Sequence, residues 1–198
     1  ELVFKVDLTF LKDINADNLL NFPVNFGIDS GDKIEKILAI LIKKKGYLPE
    51  INFQQFYEVT KIDFIVVGSC VNKQIPCYFN YKTWPKLSVL KAIRISCGFP
   101  FLYNAVKLED DIYVDGCLFE NTPVSCFKDE MEKTMVFRIN NNVTYEHKLS
   151  NYIMNMFGCL STTLTNLQLE QYYTYLVNLD IHLNATTEIT DPEKEQIL

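Results

Sequence analysis

A chain of 198 residues with 48% hydrophobic and 22% charged side chains is long enough for one domain with a sizeable core, and its composition excludes disorder as the general state. The net charge of -6 and a pI near 5.0 argue against a nucleic-acid partner, which needs a basic stripe. The longest apolar run, Ile37 to Ile42, is far too short to span a bilayer; six cysteines without a C-x-x-C pair, beside two histidines, make no metal site of recognisable spacing and suit free thiols in a reducing compartment.

In chain order, residues 1 to 12 read as a helix packing Leu2, Val3, Val6 and Phe10, and Asn15 to Phe26 as an irregular link. Asp29-Ser30-Gly31-Asp32 supplies capping residues for a helix whose Ile34, Ile37, Leu38, Leu41 and Ile42 form an amphipathic stripe, stopped by Gly46. Lys43-Lys44-Lys45 in its last turn can touch anionic lipid, but cations there also complement the helix macrodipole, and the second reading is preferred. Asn52 caps a short helix through Phe56 and Tyr57.

Ile62 to Val67 is a nearly continuous β-rich run, predicting a strand covered on both faces and paired with Ile75 to Phe79. Pro85 suits the first position of a helix ending at Cys97-Gly98. An aromatic turn, Phe99-Pro100-Phe101, then leads to two short strands closed by Glu109-Asp110-Asp111, and Ile112-Tyr113-Val114 delivers Asp115-Gly116 into a loop. Thr122-Pro123 opens a new helix. Thr134 to Ile139 and Tyr175 to Ile181 are further strands, separated by the loop Asn140 to Lys148 and a long helix whose Ile153, Phe157, Leu160, Leu164 and Leu167 share one face. Strands alternating with helices mean an α/β layer fold with a central, largely parallel sheet. The triplets Asn142-Val143-Thr144 and Asn184-Ala185-Thr186 are glycosylation sequons by pattern only.

Asp115 is the residue with a chemical reading. A carboxylate just past a buried strand end, followed by a glycine that permits a tight turn and close backbone approach, is well located to act as a base. An exposed aspartate near its ordinary pKa of ~3.9 accepts protons poorly at neutral pH, so a catalytic one must be held by its surroundings. Taken alone, an Asp-Gly pair is far more often a turn. His147 and His182 sit in no motif, and Cys117, though close to Asp115, has no histidine paired with it in sequence, so a small buried side chain is the preferred reading.

Two blocks carry a family resemblance: A-x-x-x-S-C-G-F-P-F-L-Y from Ala92 to Tyr103, and Y-V-D-G-C-L-F-E-N-T-P-V from Tyr113 to Val124. Together they resemble the second characteristic block of patatin-like phospholipases. The resemblance implies a three-layer α/β sandwich around the central sheet and a Ser-Asp dyad, its serine in a G-x-S-x-G nucleophile elbow. Asp115 matches the dyad aspartate, Gly116 the glycine that follows it, and Asn121-Thr122-Pro123 the polar turn starting the next helix. Cys117 stands where the family prefers glycine or alanine, and Glu120 replaces a common asparagine.

G-x-S-x-G and the family's Gly-rich oxyanion segment do not occur in the sequence. Gly68-Ser69-Cys70 is the nearest look-alike, but it lacks the flanking glycine pair and follows a strand, so Ser69 reads as structural. The expectation is a single patatin-like domain over residues 1 to 198 with its nucleophile upstream of Glu1, and with Ile189 to Leu198 resembling the closing helix. The implied function is a lipid acyl hydrolase of phospholipase A2 type, acting on a phospholipid or other lipid ester without metal or organic cofactor, cytoplasmic or peripheral to membranes. Phe99 and Phe101 are candidates to line an acyl-chain pocket and equally to be core, while Ser96 and Cys97 suit packing and capping. The alternative is a non-catalytic patatin-like module that binds lipid or a protein partner.

Overall fold

A computed structural model describes residues 14–140, 149–170 and 176–180. The helix expected over residues 1–12, the loop ending at Lys148, both histidines, both sequons and the closing helix lie outside, or almost wholly outside, these residues. The chain forms two compact units, one of residues 10–119 and one of residues 1–9 with 120–198.

In the first unit the expected irregular link contains two short helices, α1 (Ala16–Leu20) and α2 (Phe22–Asn25), followed by β1 (Gly27–Asp29). Asn15 caps α1 through its side chain, which accepts from the Asn18 N–H. The amphipathic stripe is α3 (Asp32–Lys44), entered through Gly31 at φ 76°. The left-handed backbone is what calls for glycine at Gly31, and a side chain there would also press on the Arg94 guanidinium. Helix α4 (Phe53–Thr60) starts on a full capping box: Asn52 Oδ1 accepts from Gln55 N at 2.8 Å, and Gln55 Oε1 accepts from Asn52 N at 3.1 Å.

Strand β2 (Val66–Cys70) starts four residues later than the apolar run suggests, because its register is set by its partner β3 (Ile75–Phe79), with Val66 opposite Phe79 and Cys70 opposite Ile75. Ile62 is left exposed. Helix α5 (Val89–Ser96) begins at Ser88 and not at Pro85, since Asn80 Oδ1 accepts from the backbone of Lys82 and Thr83 and bends the preceding residues into turns. Three strands follow: β4 (Phe101–Tyr103), β5 (Val106–Leu108) and β6 (Asp111–Asp115).

The protein is α/β, but parallel pairing, among the described residues, is confined to two strand pairs: β1 with β4, and β7 (Val136–Asn140) with β8 (Leu176–Asp180). The four-stranded sheet, ordered β3-β2-β6-β5, is antiparallel throughout. Turn length explains two of its three pairings: Val71 to Gln74 joins β2 to β3 and Glu109-Asp110 joins β5 to β6, connections too short for a parallel crossover. Helix α5 packs on β2 and β6, and the core between them gathers Phe53, Val66, Cys70, Phe79, Ala92, Ile95 and Tyr113. Phe79, Trp84 and Tyr113 meet edge to face at centroid distances of 5.6 to 6.3 Å, contacts that each add about 0.5–1.5 kcal/mol beyond area burial.

In the second unit the helix expected after Thr122-Pro123 is a 3₁₀ segment, Val124–Lys133, kinked at Phe127 and Glu130. It precedes β7, the long helix α6 (Leu149–Leu169) and β8. Val124, Met131, Val136 and Leu169 form its core. The expected apolar face of α6 is covered only in part: Ile153 and Phe157 are half-buried and Leu160, Leu164 and Leu167 exposed, while Thr165 and Leu169 are buried. Periodicity identifies this helix without telling which face the unit covers. Among the described residues, no helix is long and apolar enough to cross a membrane.

Candidate active site

Asp115 ends β6, half-buried, and its main chain is held on both sides. Its N–H donates to the Gly98 carbonyl at 2.9 Å, just past the end of α5. Its carbonyl accepts from the Ser69 hydroxyl at 2.8 Å, reaching across from β2, whose Gly68 is the register partner of Asp115. The chain then tightens into a 3₁₀ turn, Gly116–Leu118, in which the Cys117 N–H donates to Asp115 Oδ1 at 2.8 Å. Gly116 is buried against β2, and a methyl group there would lie 2.9 Å from the Val67 carbonyl oxygen. The small residue is what lets the turn close onto the sheet.

Burial pushes the Asp115 carboxyl above its ordinary range, and the Cys117 N–H and thiol partly offset this by favouring the charged form. A base whose pKa moves toward working pH is better matched to proton abstraction. The neighbouring thiols go the other way for reactivity. Burial first, then the Asp115 charge, raises the pKa of Cys117, and the same two causes raise that of Cys97, which is exposed as a residue although its thiol is shielded. Neither favours a thiolate nucleophile.

Arg94 buttresses the end of α5. It is buried, with Nη2 donating to the Ser30 carbonyl at 2.8 Å and the Asn104 carbonyl at 3.2 Å, and its guanidinium lies over the Tyr103 ring. Burial lowers its pKa, though Glu35 and other neighbouring negative charges oppose that.

Of the residues singled out in the sequence, Asp115 and Gly116 sit together as described. Asn121 belongs to the second unit and is exposed; in that unit Glu120 accepts from the Ser125 hydroxyl at 2.7 Å. Phe99 is half-buried. Phe101 is 49% exposed and so is not core; its φ of 66° is unusual for a bulky side chain, and its ring leans on Phe22 with centroids 6.4 Å apart. The sequence alone does not mark Ser69, Arg94 or Gly98 as parts of this site. A hydroxyl inside an apolar strand and a cation inside an apolar helix are the sequence signals that each needs a partner.

A family model described as Patatin-like phospholipase matches residues 2–127, more than half of the chain. The chain belongs to this family. Relatives include proteins of two viruses and a bacterium. "Uncharacterized protein R571" of Acanthamoeba polyphaga mimivirus is 27% identical over 191 residues, 96% of this chain and 58% of its own length. "Probable lipid hydrolase 463L" of Invertebrate iridescent virus 6 is 27% identical over 116 residues, 58% of this chain and 40% of its own. "Uncharacterized protein YqhO" of Bacillus subtilis is 26% identical over 120 residues, 56% of this chain and 39% of its own. The match therefore spans about three fifths or less of each of these relatives.

Proposed function

We propose that this patatin-like chain is part of a lipid acyl hydrolase in which Asp115 is the base of a Ser-Asp dyad, cleaving the acyl ester of a phospholipid or related lipid at a membrane surface. The observation that carries the reading is the state of Asp115: a carboxylate at a strand end, fixed through Gly98, Ser69 and Cys117, with its pKa raised by burial. Family membership and the viral relative described as a probable lipid hydrolase support the substrate class.

The serine bonded to Asp115, Ser69, is fully buried and spends its hydroxyl on the main-chain carbonyl, so it is not the nucleophile. In this reading the attacking serine and the oxyanion donors come from outside residues 1 to 198. The serine hydroxyl gives its proton to Asp115 as its oxygen attacks the ester carbonyl; the alcohol leaves with a proton, and water then hydrolyses the acyl-enzyme by the same route. The metal-free, cofactor-free course follows from the dyad. Phe99 and Phe101 are the side chains proposed to meet the acyl chain, Phe101 because its ring is exposed. Gly116, packed against Val67, is proposed as the residue that lets the turn after Asp115 close onto the sheet.

The test is phosphatidylcholine hydrolysis in mixed micelles by the full-length protein and its Asp115→Asn variant. Turnover by the parent and a loss of roughly 10²- to 10⁴-fold in the variant is expected. Binding to the micelles without turnover by either protein would support the non-catalytic module instead.

A further inference from the structure

Ser69 occupies the middle of β2 and is fully buried. An apolar β-branched residue would be the ordinary occupant of such a position, since an interior hydroxyl is costly unless it finds a partner. Its partner is the Asp115 carbonyl at 2.8 Å, at the exit of β6. Ser69 itself pairs with Val114, so its side chain reaches one residue past its own register partner. The Asp115 peptide is thereby held at its carbonyl by Ser69, at its N–H by the Gly98 carbonyl, and at the next residue by the contact of Gly116 with Val67.

We propose that Ser69 is a positioning residue: by fixing the Asp115 carbonyl it sets the angle at which the carboxylate leaves the strand and keeps Oδ1 under the Cys117 N–H, leaving the other oxygen to take the proton. The inference rests on the reading of Asp115 as the base. Ser69 touches no substrate and moves no proton. Its effect is geometric, and catalytic geometry is steep, with an ångström of misplacement capable of about a hundredfold loss.

The experiment uses the full-length protein with Ser69→Ala, Ser69→Thr, Ser69→Cys and Asp115→Asn, each assayed on phosphatidylcholine mixed micelles well below its melting temperature. Ser69→Ala is expected to lower kcat about tenfold with KM unchanged and to move the acidic limb of the kcat/KM profile to higher pH, because a carboxylate that loses the aligned Cys117 N–H binds its proton more tightly. Ser69→Thr keeps the hydroxyl and is expected to restore both kcat and the limb, and Ser69→Cys, a weaker donor of similar size, to fall between. A purely structural serine lowers the melting temperature yet leaves folded Ser69→Ala with the parental kcat and limb, and that result overturns the proposal. Where Ser69→Ala does not fold, parental kinetics in Ser69→Cys overturn it equally. If Asp115→Asn keeps its turnover the dyad reading itself falls; if Asp115→Asn is inactive and the Ser69 variants are parental, only the positioning role falls.

Discussion

Asp115 and Asp111 stand four residues apart on one strand, and their surroundings shift their pKa values in opposite directions, upward for Asp115 and downward for Asp111. For Asp115 the folded pKa lies above the unfolded value, so ionising it weakens the fold: the penalty is absent below 3.8, the ordinary value, and complete once the pH passes the folded pKa. Asp115→Asn removes that charge and keeps an oxygen for the Cys117 N–H. The expected outcome is an unchanged or higher melting temperature at pH 7, with the gain disappearing toward pH 3, alongside the large loss of kcat. The acidic limb of the parent's kcat/KM profile should have its midpoint above 3.8, since the base must be ionised to work. A melting temperature that falls together with activity would make Asp115 a turn residue. Glu120→Gln is the control, because the amide oxygen can still accept from Ser125.

Among the elements, the β2–β3 hairpin is tied to β6 by side chains that no local sequence pattern marks. Asp111, which reads as one of three acids in a turn, is buried. It accepts from the Lys73 ammonium, from Asn72 Nδ2 at 2.9 Å and from the Tyr113 hydroxyl at 3.3 Å, while Asn72 Oδ1 accepts from Ile112 N at 3.0 Å. These bonds, the Lys73 one first, hold the Asp111 carboxyl below its ordinary range. Its contribution to stability is therefore present above 3.8 and lost as the pH falls through the lower folded value. Asp111→Asn is expected to lower the melting temperature at pH 7, by an amount that shrinks as the pH drops below 3.8; a difference that is constant with pH would rule out the charge as its source. Local signals were more legible. The Asn52 cap is where the sequence put it, and Asn52→Ala should cost about 1 kcal/mol, seen as a lower urea midpoint with an unchanged m value.

At the scale of the whole molecule, the α/β class was legible in the alternation of strand and helix patterns, whereas the direction of pairing was not: alternation predicts parallel crossovers, and short turns at Val71 to Gln74 and Glu109-Asp110 override it. The site divides in the same way. Asp115 could be found because its neighbours in sequence form the block from Tyr113 to Val124, but Ser69 lies 46 residues upstream and becomes its partner only through the antiparallel register of β2 and β6. The same geometry bears on what residues 1 to 198 do alone. The proposed base is held from within the first unit, yet the serine it touches is buried and bonded to a main-chain carbonyl, and no G-x-S-x-G turn is encoded in these residues. A base without its nucleophile retains little catalytic power, because members of such a unit are strongly non-additive. Purified residues 1–198 should therefore neither turn over a p-nitrophenyl ester nor react with a serine-directed fluorophosphonate, while the full-length protein does both; labelling of the 198-residue chain, abolished by replacing one of its own serines, would place the nucleophile inside it and overturn the proposed origin of the serine.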